Sequence, residues 1–194
     1  VEHLLDLPYK DHMPCYWTLA TETQCRTIER DTPGLSARLA AMRRCQEAGF
    51  PVRAGFSPIV PHPGWRQEAT EALEQLFAAA RPDTVRLWVV SMMLAREAEQ
   101  IFGTGNLEPA YVEAMRAAAP ALDGTHAGPF PPAVRAEIYA HYNDEIRRIS
   151  PGTPVNLCTE ERPVWEMLAD RLAMHPDRLF CCCGQFSVPG AAPA

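Results

Sequence analysis

Short β-rich stretches alternate with amphipathic helices along this chain, and that alternation leaves few folds open. It is the pattern of βα units feeding a parallel sheet, because parallel neighbours need a crossover long enough to hold a helix. Cys15 to Leu19 (CYWTL) is the first predicted strand. Thr32 is placed to cap a helix with Pro33 at its first position, and Leu35, Leu39, Met42 and Cys45 then recur at helical spacing. Gly49 stands where a left-handed terminal cap belongs. The second strand runs from Val52 to Ile59, closed by Pro58 and Pro61. Trp65 to Ala80 follows as a helix, with Ala69, Leu73, Leu76, Phe77 and Ala80 inward and Glu68, Glu71 and Glu74 outward. Thr84 to Met92 is the third strand, apolar enough to be covered on both sides.

The pattern then loosens into a helix from Glu108 to Ala119 and a glycine- and proline-rich loop from Pro120 to Pro132. Val134, Ile138, Tyr142, Ile146 and Ile149 line one face of a further helix, Pro151-Gly152 turns the chain, and Pro154 to Cys158 is the fourth strand. A last helix passes through Trp165, Leu168 and Leu172. Four βα units fall short of the closed eight-stranded barrel, which takes about 250 residues. The expectation is therefore an α/β fold, a partial (β/α) barrel of about four parallel strands over residues 1–186, with 187–194 as a flexible tail. A half-barrel leaves a sheet edge uncovered. The chain starts at Val1 in an apolar run, VEHLLDL, so it is expected to be one portion of a longer protein whose N-terminal half is its missing partner.

Composition narrows the function classes. At 47% hydrophobic and 22% charged, the 194 residues have the balance of a globular domain. No run approaches the roughly 20 apolar residues of a membrane span, and no signal peptide is evident, so cytoplasm is the expected location. The net charge of −6 is spread without blocks and offers no general attraction to phosphate. Seven cysteines, Cys181, Cys182 and Cys183 adjacent among them, lack the spacing of a disulfide scaffold and are expected to be reduced. Gly-x-Ser-x-Gly elbows, phosphate-binding glycine loops and zinc-protease helices are all missing from the sequence.

From Val1 to about Trp65 an ordered series of short pieces carries a resemblance: VEHLLDL, Trp17-Thr18-Leu19, Glu29 with Thr32-Pro33, Arg38-Leu39, Ala48-Gly49 with Pro51-Val52, Pro58-Ile59, and Gly64-Trp65. Leu157-Cys158-Thr159-Glu160 with Val164-Trp165 adds a later one. The series resembles the C-terminal part of the spore photoproduct lyase family of radical S-adenosylmethionine enzymes. The resemblance implies a partial barrel that binds a 4Fe-4S cluster and S-adenosylmethionine, cleaves the latter reductively, and applies the radical to a DNA lesion or related nucleic-acid or nucleotide substrate. In that family three cysteines of a Cys-x3-Cys-x2-Cys run hold the cluster, and this sequence has no such run. The chain alone is accordingly expected to be inactive. The resemblance makes Thr18 a candidate cofactor contact, with Ala20 standing where the family has an asparagine; Ser57, just before Pro58-Ile59 at a strand end where ligands of such folds collect, is the second candidate. The family's basic hairpin for gripping DNA finds no counterpart in the Pro120 to Pro132 loop, which offers only His126 and Phe130.

Other groupings divide between chemistry and structure. Cys181 and Cys183, with Cys158 and with His175 as a candidate fourth ligand, are a candidate auxiliary metal or cluster site, and free thiols are the competing reading. His62 in Pro61-His62-Pro63 stands beyond a strand end, facing either the mouth of the barrel or the core. Glu160-Glu161 follows a strand, where barrels place catalytic acids, and precedes a helix, where carboxylates complement the dipole. The alternative to an enzyme portion is a non-catalytic α/β binding module built on the same scaffold.

Overall fold

A computed structural model describes residues 1–172. Four strands, β1 (Cys15–Leu19), β2 (Val52–Ile59), β3 (Val85–Val89) and β4 (Val155–Leu157), form one parallel sheet in the order β1-β2-β3-β4. The register runs Thr18↔Gly55↔Arg86↔Asn156 in one row and Leu19↔Phe56↔Leu87↔Leu157 in the next. Neighbours in a row point to the same side and successive rows to opposite sides. The sheet thus has an apolar face bearing Leu19, Val52, Ala54, Phe56, Val85, Leu87, Val89, Val155 and Leu157, and a polar face bearing Tyr16, Thr18, Arg53, Ser57, Arg86 and Asn156.

Helices cover the apolar face. The crossovers are α1 (Glu22–Thr27) with α2 (Leu35–Glu47) from β1 to β2, and α3 (Trp65–Ala79) from β2 to β3. From β3 to β4 the chain passes through α4 (Ala95–Ala98), α5 (Pro109–Leu122) and α6 (Pro132–Ile149); α7 (Arg162–Leu172) follows β4. The predicted inward residues of α2, α3 and α6 are buried, namely Leu35, Leu39, Met42 and Cys45; Ala69, Leu73, Leu76 and Phe77; Val134, Ile138, Tyr142 and Ile146; Ile149 is only partly buried, and α6 also buries Arg135, Tyr139 and Asn143. Burying each of the larger of these contributes about 1.5–3 kcal/mol, which is what holds the helices down. Gly49 has φ +100 just past α2, the left-handed stop that a side chain would resist.

Several boundaries differ from expectation for local reasons. Thr32 does not cap α2; Gly34 is its N-cap and Leu35 its first residue, because the Thr32 hydroxyl instead donates to the Glu29 carbonyl (2.7 Å). The short helix α1, capped by the Thr21 hydroxyl accepting from Gln24 N, had no strong periodic signal in its six residues. The third strand is shorter than Thr84 to Met92 and is not apolar on both sides, since Arg86 and Trp88 share the polar face. The fourth strand is only Val155–Leu157, and α5 runs through Pro120 to Leu122, which shortens the expected loop. Among the described residues no strand pairs with the outer margin of β1 or of β4. None of the described helices is long and apolar enough to cross a membrane.

Candidate functional site

In parallel sheets ligands gather at the C-terminal ends of the strands, and the polar face leads there. At its centre the Arg86 guanidinium lies 4.6 Å from the Tyr16 ring centroid, donates through Nη2 to Ser57 Oγ (2.9 Å) and through Nη1 to Cys158 Sγ (3.7 Å). One cation thereby links β1, β2, β3 and the end of β4. Gly55 makes the arrangement possible: a Cβ there would sit 1.6 Å from Tyr16 Oη, so only glycine lets the ring cross the sheet to Arg86. Below them Asn156, fully buried, donates through Nδ2 to Thr84 Oγ1 (3.0 Å), and its Oδ1 is a buried acceptor with no hydrogen-bond partner.

The strand ends are fixed by side chains from the following helices. Arg38 gathers the Thr18 carbonyl (3.2 Å), the Pro33 carbonyl (2.7 Å), Thr32 Oγ1 (2.9 Å) and Glu29 Oε2 (2.6 Å). Its guanidinium therefore ties the end of β1 to the loop before α2, using residues that sequence reading had singled out only as a pattern. Gln24, buried, donates to the Pro58 carbonyl and to Glu29 Oε1 (both 2.8 Å) and accepts from Val60 N (3.1 Å), locking α1 to the end of β2. The Ser57–Pro58 peptide is cis.

At the end of β4, Arg135 from α6 is 1% exposed and paired with Glu160, whose side chain is 4% exposed. Arg135 also donates to the carbonyls of Ala127 (2.8 Å) and Phe130 (2.6 Å) and to Glu161 (3.1 Å). Tyr139, beside Glu160, accepts from Val89 N (2.9 Å), and burial holds its phenol far above the usual tyrosine range. Glu160 and Glu161 thus pair with the arginine that fixes the loop before α6, a structural role different from the helix-dipole one expected of them. His62 faces the interior: it is 1% exposed, with Nε2 2.8 Å from Thr21 Oγ1 and Nδ1 3.0 Å from the Pro63 carbonyl. The Pro63 carbonyl can only accept, so Nδ1 donates to it, while Nε2 faces Thr21 and, at 3.7 Å, the Glu68 carboxylate.

Of the predicted contacts, Thr18 lies on the polar face with an exposed side chain, and Ser57 is buried beneath Arg86 in the adjoining position. Cys158 belongs to the same cluster, whereas Cys181, Cys183 and His175 lie outside the described residues. Cys15, Cys25, Cys45 and Cys158 are free thiols, and burial pushes the Cys15 thiol up to about 11. No group of three or more His, Cys, Asp or Glu side chains suited to a metal ion occurs among the described residues. Arg86 and Gly55 were missed by sequence reading. Their signals were an arginine alternating with Val85, Leu87 and Val89, and a glycine inside a strand.

The chain matches no protein-family model and no curated protein. Solved structures do match. A spore photoproduct lyase mutant with bound AdoMet and dinucleoside spore photoproduct superposes with a TM-score of 0.61 at 20% identity, covering 81% of this chain and 47% of that one. This chain shares its fold with spore photoproduct lyase. A second structure, spore photoproduct lyase complexed with dinucleoside spore photoproduct, gives 0.61 at 18% identity with the same coverages, and another mutant with that dinucleoside gives 0.62 at 20%. The chain therefore spans about half the length of the spore photoproduct lyase structures it matches. The spore photoproduct lyase fold is the partial barrel expected from the sequence, and it accounts for a parallel sheet with one helix-covered face and one polar face.

Proposed function

We propose that this chain is the C-terminal portion of a spore photoproduct lyase-like radical S-adenosylmethionine enzyme, contributing the wall of the barrel that flanks cofactor and substrate. The observation that carries the proposal is the shared fold over 81% of this chain combined with a polar, strand-end face on the side of the sheet opposite the described helices. The donor set suits a polar ligand: the Thr18 hydroxyl is accessible, Ser57 is oriented by Arg86, and the buried Asn156 Oδ1 has an unfilled acceptor position. Thr18 and Ser57 would hold S-adenosylmethionine, which when bound supplies the radical precursor.

The described residues do not suit a 4Fe-4S cluster, because the cysteines among them are dispersed across β1, α1, α2 and the end of β4. In this reading the cluster ligands come from a separate N-terminal half carrying a Cys-x3-Cys-x2-Cys run, which docks against the uncovered margin of the sheet. The substrate is a DNA lesion or a related nucleotide.

The test is anaerobic reconstitution with iron and sulfide followed by chromatography of 5′-deoxyadenosine. The chain alone should form none, and addition of an N-terminal half bearing the three cysteines should restore cleavage in a Thr18- and Ser57-dependent manner. Turnover by the chain alone, or failure of any such half to restore it, would overturn the proposal.

A further inference from the structure

On the helix side of the sheet, the first turns of α3 and α5 and the second turn of α6 border an open cleft of about 410 Å³. That volume falls in the roughly 300–1,000 Å³ range of small-molecule pockets. Its aromatic walls are Trp65 and Tyr111, 6.3 Å apart between ring centroids, and its carboxylates are Glu108 and Glu137. A guanidinium already sits there. Arg66 lies over the Trp65 ring at 4.5 Å, pairs with Glu137, and donates to Tyr111 Oη at 3.5 Å.

This seat has the chemistry of a cation cage: an aromatic face, a carboxylate and a phenol around one planar cation. Burial and the neighbouring Glu137 push the Tyr111 phenol up to about 12, so it remains a neutral hydroxyl and adds no charge. The latch is weak, because the side chains of Arg66 and Glu137 are 46% and 49% exposed and an ion pair this open is largely screened. Charge also favours exchange. Two carboxylates oppose one guanidinium and two helix N-termini worth about half a charge each. The sum is near zero with Arg66 seated and about one negative charge when it swings out.

We propose that this cleft binds a small organic cation carrying a guanidinium or primary ammonium group, which replaces the Arg66 side chain against Trp65 and Glu137 and extends toward Glu108. The proposal does not depend on the radical-enzyme reading, since none of these residues touches the polar face.

Calorimetric titration of the full chain with agmatine at low salt tests it. The parent chain should bind, and Arg66→Ala should tighten binding by about tenfold because an intramolecular competitor at high effective concentration is removed. Glu137→Gln should weaken binding by about tenfold or more. Inorganic phosphate and glutarate serve as anionic probes. An anion site would behave in the opposite sense, with Arg66→Ala abolishing phosphate or glutarate binding, and that result would overturn the proposal. Absence of agmatine binding up to about 10 mM in an Arg66→Ala chain that melts like the parent would do the same. Arg66→Met, which keeps an aliphatic cover over Trp65, gives the same discrimination should the alanine variant fail to fold.

Discussion

Arg135 is where a single substitution should do most damage. Its side chain is 1% exposed and makes four kinds of contact: with Glu160, with Glu161, and with the carbonyls of Ala127 and Phe130. Replacing it with methionine preserves much of the volume but strands the Glu160 carboxylate, 4% exposed, without its cation. Removing one member of a buried ion pair costs about 3–5 kcal/mol. Two carbonyls lose their donors as well, at about 1–3 kcal/mol each if they stay dry. These penalties overlap, because one relaxation of the loop before α6 can rehydrate all three groups, so the expected loss is about 4 kcal/mol. With total stabilities of about 5–15 kcal/mol and about 2–4 °C per kcal/mol for a chain of this size, the melting temperature should drop by about 8–16 °C. Thermal and urea unfolding followed by circular dichroism measures it. The double variant R135M/E160Q separates the causes: if the stranded charge dominates, adding Glu160→Gln should recover at least about 1 kcal/mol of the loss. An R135M chain melting within about 2 °C of the parent, or a double variant whose cost is the plain sum of the singles, would refute the reasoning.

Three further outcomes follow from the same structure. Gly55→Ala places a Cβ where Tyr16 Oη lies, and since the obstructing atom is the far end of a movable ring, the cost should be about 1–2 kcal/mol with the near-ultraviolet tyrosine signal altered; an unchanged spectrum and melting point would contradict the crossing of Tyr16 over the sheet. Gln24→Ala leaves the buried Val60 N–H without its acceptor and should destabilise by about 1–3 kcal/mol in urea unfolding, whereas a loss below about 0.5 kcal/mol would show that the link between α1 and β2 is dispensable. Burial raises the Asp83 carboxyl, partly offset by Arg53, so ionising it is harder in the folded chain than in the unfolded one. Its contribution to stability is therefore fully present below its ordinary value of 3.8 and is lost as pH rises through the folded value. Asp83→Asn should accordingly gain on the parent as pH increases from about 3.5 to neutrality, and a pH-independent difference between the two chains would count against it.

The layer architecture was legible in the sequence because it depends on local signals. Period-3.6 apolar residues at Leu35, Leu39, Met42 and Cys45 or at Val134, Ile138, Tyr142 and Ile146 must bury one stripe against another layer, and the β-rich stretches between the helices make that layer a sheet. The bounds of β1 and β2 were readable for the same reason, bracketed by turns, prolines and Gly49. What stayed hidden was long-range pairing. Nothing in the neighbourhood of Arg135 announces Glu160, 25 residues away, and nothing near Gln24 announces Val60. Thr32 illustrates the competition, since it has the chemistry of a helix cap and spends its hydroxyl on Glu29 and Arg38 instead. Of the candidate site residues, Thr18 came from the family resemblance and Ser57 from its place at a strand end, but the arginine that binds Ser57 sat inside a strand whose apolar run masked its alternation.

The strand order β1-β2-β3-β4 means that every strand neighbours only its predecessor and successor in the chain. Among the described residues no strand is inserted between two others, so material can be added to or removed from either flank without re-routing what is already assembled. Such an architecture can be divided between two polypeptides, or lengthened unit by unit, with each portion retaining its own sequence-local instructions for folding.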